Sequence, residues 1–405
     1  MAIGEAPLPE FHPVAGVRLG IAAAAIKKAG RDDLVVLELS AGSQVAAVFT
    51  RNRFCAAPVL VAREHLQSDS PRYLLINTGN ANAGNGEQGM RDARRCCEAL
   101  AVAASVSPQQ VLPFSTGVIG EPLPVPAIEA GIPEALASLK EHHWARAASG
   151  IMTTDTRPKG ATRRVLIGGE PVHISGISKG AGMIRPNMAT MLAFVATDAA
   201  IDPSLLQTMV SELAEESFNR ITVDGDTSTN DACVVAATGQ SPAPALAAES
   251  SELPLFREAL LSLLQELSQA IVRDAEGATK FVTVTVNEAA NREQALKVAY
   301  AVAESPLVKT ALYACDPNWG RILAAVGRAG VDDLDVAAVS IYLDEVCIVR
   351  QGGRDPDYRE ALGQQVMDRS EIGIHIQLGM GTVRERVWTC DFSHEYVTIN
   401  AEYRT

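Results

Sequence analysis

Short apolar runs, each closed by a glycine- or asparagine-bearing turn and interleaved with helical periods, constrain this chain most. Leu34–Ser40 (LVVLELS) and Gln44–Thr50 (QVAAVFT) flank Ala-Gly-Ser and predict a hairpin. Tyr73–Ile76 predicts a buried strand that opens into a Gly/Asn loop, and Met90–Ser105 predicts a helix. Val111–Gly120 (VLPFSTGVIG) predicts a strand ending in a glycine turn. The run PEALASLKEHHWARAASGIM carries helical periodicity, and TRRVLIGGEPVHISGIS predicts a hairpin about Gly168-Gly169. Beyond Thr190, MLAFVATDA predicts a strand. Asp202 as N-cap with Pro203 at the first helical position opens a helix. A long apolar-periodic helix ends before Gly277, and FVTVTV (Phe281–Val286) alternates as a strand. The last hundred residues (VAAVSIYL, EVCIVR, GIHIQLGMG, VWTCDF, YVTINAEY) predict a mostly antiparallel sheet with one or two helices. The class is mixed α and β with antiparallel pairing prominent, and Ser241–Ser250 is the one linker-like stretch.

With 405 residues, 47% of them apolar, the chain can form two or three lobes around ample cores. Its net charge of -13 and the lack of a basic stripe argue against nucleic acid or anionic membranes as partners. No run of eighteen apolar residues predicts a membrane span. Seven cysteines, without CxxC spacing, predict reduced and mostly buried thiols. The expected compartment is the cytoplasm.

One junction asks for chemistry. Lys179–Phe194 (KGAGMIRPNMATMLAF) sets a loop of small residues and Pro186 against an apolar run, with Thr190 at the boundary. A threonine hydroxyl is a poor nucleophile without an adjacent base. A cut before Thr190 would free an α-amino group to serve its own hydroxyl. Such a group titrates near about 7.7–8.0, close to working pH. The hydroxyl can make the cut itself by attacking the Ala189 carbonyl, giving an ester that water opens. Spacing alone leaves an ordinary loop before a strand as the alternative. Thr116-Gly117 in STGVIG could present N–H groups to an oxyanion, or simply form a turn. MTTDTRPKG (Met152–Gly160) offers hydroxyls and Asp155, or an N-cap cluster. Asp224 and Asp226 in TVDGDTSTND suggest a metal loop or a phosphatase nucleophile, although a phosphoaspartate motif would continue with apolar residues where Ser, Thr and Asn follow. A calcium loop, however, needs Gly and Glu where Thr229 and Val235 stand. No HExxH, GxSxG or dinucleotide loop supplies another general base or cofactor.

Together, NTGNANAGNGEQG, STGVIG, IMTTDTRPK, SKGAGMIRPNMATML, VDGDTSTND, RDAEGATK and DPNWGRI occur in this order. The chain resembles the ornithine acetyltransferase (bifunctional glutamate N-acetyltransferase) family from Pro13 to Thr405. The resemblance implies a two-lobed α/β sandwich similar to, but distinct in topology from, the N-terminal-nucleophile hydrolases. It implies self-cleavage between Ala189 and Thr190 into pieces 1–189 and 190–405, the second carrying a mostly antiparallel lobe about 285–405. The pieces stay together, and two such units pair as α2β2. Thr190 is the implied nucleophile, taking acetyl from N-acetylornithine and handing it to glutamate. Thr116 and Gly117 are the implied oxyanion pair. The implied substrate contacts are Thr153, Lys179, Thr190, Glu276, Asn400 and Thr405. No metal or cofactor is implied, and acetyl-CoA enters only as a donor that some members accept. Lys179 suits a substrate carboxylate and Glu276 the δ-ammonium of ornithine. The rivals are an amidohydrolase with the same cleaved threonine, and an uncleaved binding protein that has lost the chemistry.

Overall fold

The computed structural model describes residues 2–4, 7–185 and 191–402. Two compact units form. One comprises Pro7–Asn219 and Thr227–Ile271. The other comprises Met1–Ala6, Arg220–Asp226 and Val272–Thr405.

The larger unit is built on two sheets. The first has four strands in the order Val17–Ala22, Leu34–Leu39, Tyr73–Asn80 and Val111–Val118. Its last pair is parallel and the others antiparallel. The second has five, in the order Gln44–Phe49, Ala232–Ala237, Leu192–Thr197, Glu170–Lys179 and Lys159–Ile167. Residues of both sheets share one core. Leu37, Ile76 and Phe114 come from the first, and Ile177, Phe194 and Val234 from the second. Phe114 and Phe194 meet edge to face at 5.0 Å, a geometry worth about 0.5–1.5 kcal/mol beyond area burial. The outer face of the four-stranded sheet is covered by the helices Gly86–Ala104 and Val125–Ala137, through Cys96, Cys97, Leu100, Ile128 and Ile132. On the five-stranded sheet, a Cβ at Gly176 would lie 3.2 Å from both Leu263 and Leu267 of the helix Leu253–Arg273. The helix Pro203–Glu216 bonds the strand Gln44–Phe49 through Gln207, whose amide oxygen accepts from Ala47 N–H at 3.2 Å. Helix, sheet, sheet, helix is therefore the layering. The interior strands Leu34–Leu39, Leu192–Thr197 and Ala232–Ala237 read as near-continuous apolar runs because both faces are covered, whereas the edge strand Lys159–Ile167 does not.

The smaller unit holds a six-stranded sheet in the order Gly353–Arg354, Val346–Arg350, Ser340–Leu343, Glu371–Gln377, Phe281–Ala289 and Val383–Cys390. Only the pair Phe281–Ala289 with Glu371–Gln377 is parallel. Val298, Val302, Leu312 and Val326 from helices pack onto its core.

Several expectations hold. The hairpin about Gly168-Gly169 forms, and Asp202 caps its helix, accepting from Ser204 and Leu205 N–H. Others are corrected. Leu34–Leu39 and Gln44–Phe49 are not a hairpin but join different sheets. The run after Pro133 is two helices, Val125–Ala137 and Trp144–Gly150, because Ser138 turns back to bond Ile21 and Lys140 bridges Leu19. His142 and His143 lie in the turn between them. YVTINAEY is helical over His394–Ala401. The segment Ser241–Ser250 is packed down, with Leu246 bridged to Ile201.

Candidate active site

The parallel strands Tyr73–Asn80 and Val111–Val118 run in register until Gly79 faces Gly117. There the ladder slips, and Asn80 faces both Thr116 and Val118. The slip needs glycine. Gly79 has φ +100° and Gly117 φ +137°. A Cβ on Gly117 would lie 2.2 Å from the Gly79 carbonyl carbon and 2.5 Å from Asn80 N. A bulge of this kind re-aims the local backbone and takes groups out of sheet pairing. Thr116 is nearly buried. The Lys179 ammonium, at the end of the strand Glu170–Lys179, donates to Thr116 Oγ1 at 3.2 Å. Nearby, Asn230 holds two carbonyls at once, donating to Ala81 O at 2.6 Å and Ser115 O at 3.0 Å.

A second buried group fixes the strand end that carries Lys179. Asp155 accepts from Gly180 N–H at 2.7 Å, from Thr153 N–H at 2.9 Å and from the Lys159 ammonium at 2.6 Å. Burial opposes its charge. The ammonium groups of Lys159 and Lys179 and the Gly180 N–H outweigh that and hold the carboxyl well below the ordinary range. Asp155 thus ties the Thr153 loop to the chain leaving Lys179.

In the smaller unit, Glu276 is buried and accepts from the Asn400 amide at 2.7 Å. Asn400 also donates to Tyr396 O, and Tyr396 OH bonds Asp224 at 3.3 Å. Burial, then the neighbouring carboxylates Asp224 and Glu276, push the Tyr396 phenol far up, so it stays a donor. Gly277 (φ +69°) lets this helix approach: a Cβ there would sit 2.6 Å from Tyr396 N.

The ArgJ family model matches residues 18–405. The chain is 57% identical over 406 residues to the arginine biosynthesis bifunctional protein ArgJ of Pseudomonas syringae pv. tomato, covering 100% of both chains. It is 58% identical over 393 residues to the protein of the same description from Methylococcus capsulatus, covering 97% of this chain and 96% of that one. The solved structure of the arginine biosynthesis bifunctional protein from Bacillus halodurans is 39% identical with TM-score 0.50. It covers 52% of this chain and 99% of that chain. The chain belongs to the ArgJ family.

Of the residues the ArgJ resemblance points to, the structure brings Thr116, Gly117 and Lys179 together and ties Thr153 in through Asp155. It brings Glu276 to Asn400 within the other unit. Ala189, Thr190 and Thr405 lie outside the described residues. The sequence leaves Asp155 open between candidate chemistry and an N-cap cluster, and does not single out Asn230. A carboxylate four residues before a lysine in a short segment, and an Asn-Asp pair directly before an apolar strand, were the signals available. Asp224 and Asp226 bear on the Tyr396 side rather than on a calcium loop. Among the described residues no cluster of His, Cys, Asp or Glu could hold a metal, and no helix is long and apolar enough to cross a membrane.

Proposed function

We propose that this protein is an acetyltransferase of arginine biosynthesis that moves acetyl from N2-acetyl-L-ornithine to L-glutamate through an acetyl-Thr190 intermediate. The observation that carries the reading is the Thr116-Gly117 bulge, with the Lys179 ammonium on it, in a chain of the ArgJ family. The active form arises by self-cleavage at Ala189–Thr190. The Thr190 hydroxyl adds to the Ala189 carbonyl, the C–N bond breaks as nitrogen takes the proton, and water opens the ester. The freed amine then serves as base. It takes the hydroxyl proton as Thr190 attacks the acetyl carbonyl, and the oxyanion develops against the Thr116-Gly117 backbone. Ornithine leaves with a proton, and glutamate reverses the step. Lys179 is suited to an α-carboxylate and Glu276 to the δ-ammonium of ornithine. Thr153, Asn400 and Thr405 are the remaining substrate contacts in this reading.

Sheet pairing supports a cut whose products stay together. Leu192–Thr197 lies between Glu170–Lys179 and Ala232–Ala237. The Bacillus halodurans chain, covered almost entirely while spanning about half of this one, is of the size such a fragment would have. Pairing of two cleaved units as α2β2 and residence in the cytoplasm belong to the same reading. The seven free thiols fit a reducing compartment. The relatives are described as bifunctional, which makes acetyl-CoA the second donor to test.

Intact-mass spectrometry before and after N-acetylornithine tests the proposal. Two fragments split at Ala189–Thr190, with an acetyl increment on the second, are expected. Thr190→Ala remains one chain without transfer, and Thr190→Ser cuts and retains some activity. A Thr190→Ala chain that is still cut would sink the self-cleavage mechanism. Acetate release without glutamate at the transfer rate would make the protein an amidohydrolase instead.

A further inference from the structure

One buried side chain ties together the two strands whose ladder slips at the bulge. Asn230 is 6% exposed. Its amide nitrogen donates to Ser115 O at 3.0 Å and to Ala81 O at 2.6 Å, which uses both of its protons. Its amide oxygen accepts from the Thr229 hydroxyl at 2.6 Å. These partners fix the orientation of the amide, since neither carbonyl could donate to an oxygen in its place.

The bonds bracket the Thr116-Gly117 pair. Ser115 is the residue before it. Val118, the residue after it, has its carbonyl bonded by Ala81 N–H at 2.9 Å. Ala81 is itself held at its carbonyl by Asn230. Together these groups close a frame around Thr116 and Gly117, and every member but the Asn230 amide is backbone. A trans peptide is planar, with its C=O and N–H pointing in opposite directions. Holding Ser115 O therefore sets where the Thr116 N–H points.

We propose that Asn230 is a positioning residue for the oxyanion pair: by bridging Ser115 O and Ala81 O it frames Thr116-Gly117 and aims the Thr116 N–H.

An oxyanion donor is useful only when it is aimed beforehand at the place where charge develops. A bulge disrupts the ladder that would otherwise set that direction, so the aim has to come from outside the strand pair. Asn230 supplies it from a fixed base. Thr50 donates through its hydroxyl to Ser228 O at 2.8 Å and through its N–H to Asp231 O at 3.0 Å. The Asn52 amide donates to Thr227 O at 2.8 Å, and Ala56 N–H to Thr229 O at 3.0 Å. The residue type matters as well. A carboxylate of the same shape would set acceptors against two carbonyls.

The inference rests on the acetyl-transfer reading, and the test keeps the two apart. Wild type, Asn230→Ala, Gly117→Ala and the double variant are purified as full chains. Intact mass gives the fractions cut and acetylated, thermal melts report folding, and acetyl-transfer kinetics are expressed per cut chain. A wild type that is neither cut nor acetylated overturns the reading, and the inference with it. With an active wild type, Asn230→Ala is expected to lower kcat by about 10–100-fold, with KM for N-acetylornithine within about threefold, because a misaimed donor is missed in the transition state and not in the ground state. The double variant is expected to be about as slow as Gly117→Ala alone, because the added Cβ has already displaced the bulge that Asn230 frames. A merely structural Asn230 would multiply the two losses instead. Asn230→Ser, whose hydroxyl keeps one donor, should fall between wild type and Asn230→Ala, and it carries the same cycle if Asn230→Ala does not melt cooperatively. A kcat for Asn230→Ala within about threefold of wild type would overturn the inference. So would multiplied losses in the double variant, or an effect confined to KM.

Discussion

Asp155→Asn tests how the Lys179 strand end is held. The side chains of Asp155 and Lys159 are 0% and 1% exposed. The substitution keeps an oxygen for the Gly180 or Thr153 N–H but removes the carboxylate from the Lys159 ammonium. Taking one partner from a buried pair costs about 3–5 kcal/mol. Domains of this size lose about 2–4 °C per kcal/mol, so the melting temperature should fall by roughly 6–20 °C. The double variant Asp155→Asn/Lys159→Met removes both charges and should recover most of the loss, since neutral replacement of a buried pair is near neutral. The pH dependence follows from the sign of the shift. Asp155 is depressed in the folded chain, so its contribution is complete above the ordinary aspartate range. It is lost only as pH falls through the lower folded value. Urea titrations at pH 7, 5 and 3 should show a constant gap between wild type and variant at the first two and a smaller one at the third. A double variant as unstable as the single one would refute the reasoning, because the cost would then not come from an uncompensated ammonium.

Gly117→Ala should still give a chain of native size but lower kcat by about 10²–10³-fold, the usual cost of losing one oxyanion donor. The added Cβ cannot coexist with the Gly79 carbonyl at 2.2 Å, and single-turnover transfer within threefold of wild type would end the oxyanion assignment. Glu276→Gln should raise KM for N-acetylornithine by about 10–100-fold, as for losing a hydrogen bond to a charged group. Little change in kcat should accompany it, and an unchanged KM would remove Glu276 from the substrate.

Much of this arrangement was legible because the motifs are local. Gly168-Gly169 announces its turn, and Asp202-Pro203 announces its helix. What escaped depends on distant partners. Leu34–Leu39 and Gln44–Phe49 flank a short turn in which Ser43 bonds Ser40 O, a local signature that a hairpin shares. Gln44, however, pairs with Ala237, far along the chain. Two strands apolar on both faces carry no sign of which sheet they enter. YVTINAEY is β-branched, yet Gly277 leaves room for it as a helix, and Ser393 Oγ caps the approach by donating to Gly277 O. Tertiary packing overrides propensity there. Asp155 stayed open between candidate chemistry and an N-cap cluster because its role lies in bonds to Gly180 and Lys159, and only the first of these is remote in sequence.

The proposed cut acquires a physical rationale from the sheet. Glu170–Lys179 and Leu192–Thr197 are antiparallel neighbours, with Lys179 opposite Leu192. Opening their connection breaks one covalent bond and none of the ladder that pairs them. Beyond them, Ala232–Ala237 pairs with Gln44–Phe49 on its other edge. The two strands from after the cut therefore lie between strands from before it. Separating the pieces would expose Phe194, Val234, Ala47 and Ile177 together, since all four belong to the core or strands of this sandwich. A cut placed between two domains would have produced a free N-terminus on a detachable piece. A cut inside the sheet leaves the new N-terminus two residues before a strand paired on both sides, and a nucleophile that is its own base benefits from such anchoring, because the amine must stay within reach of one hydroxyl and one bound carbonyl.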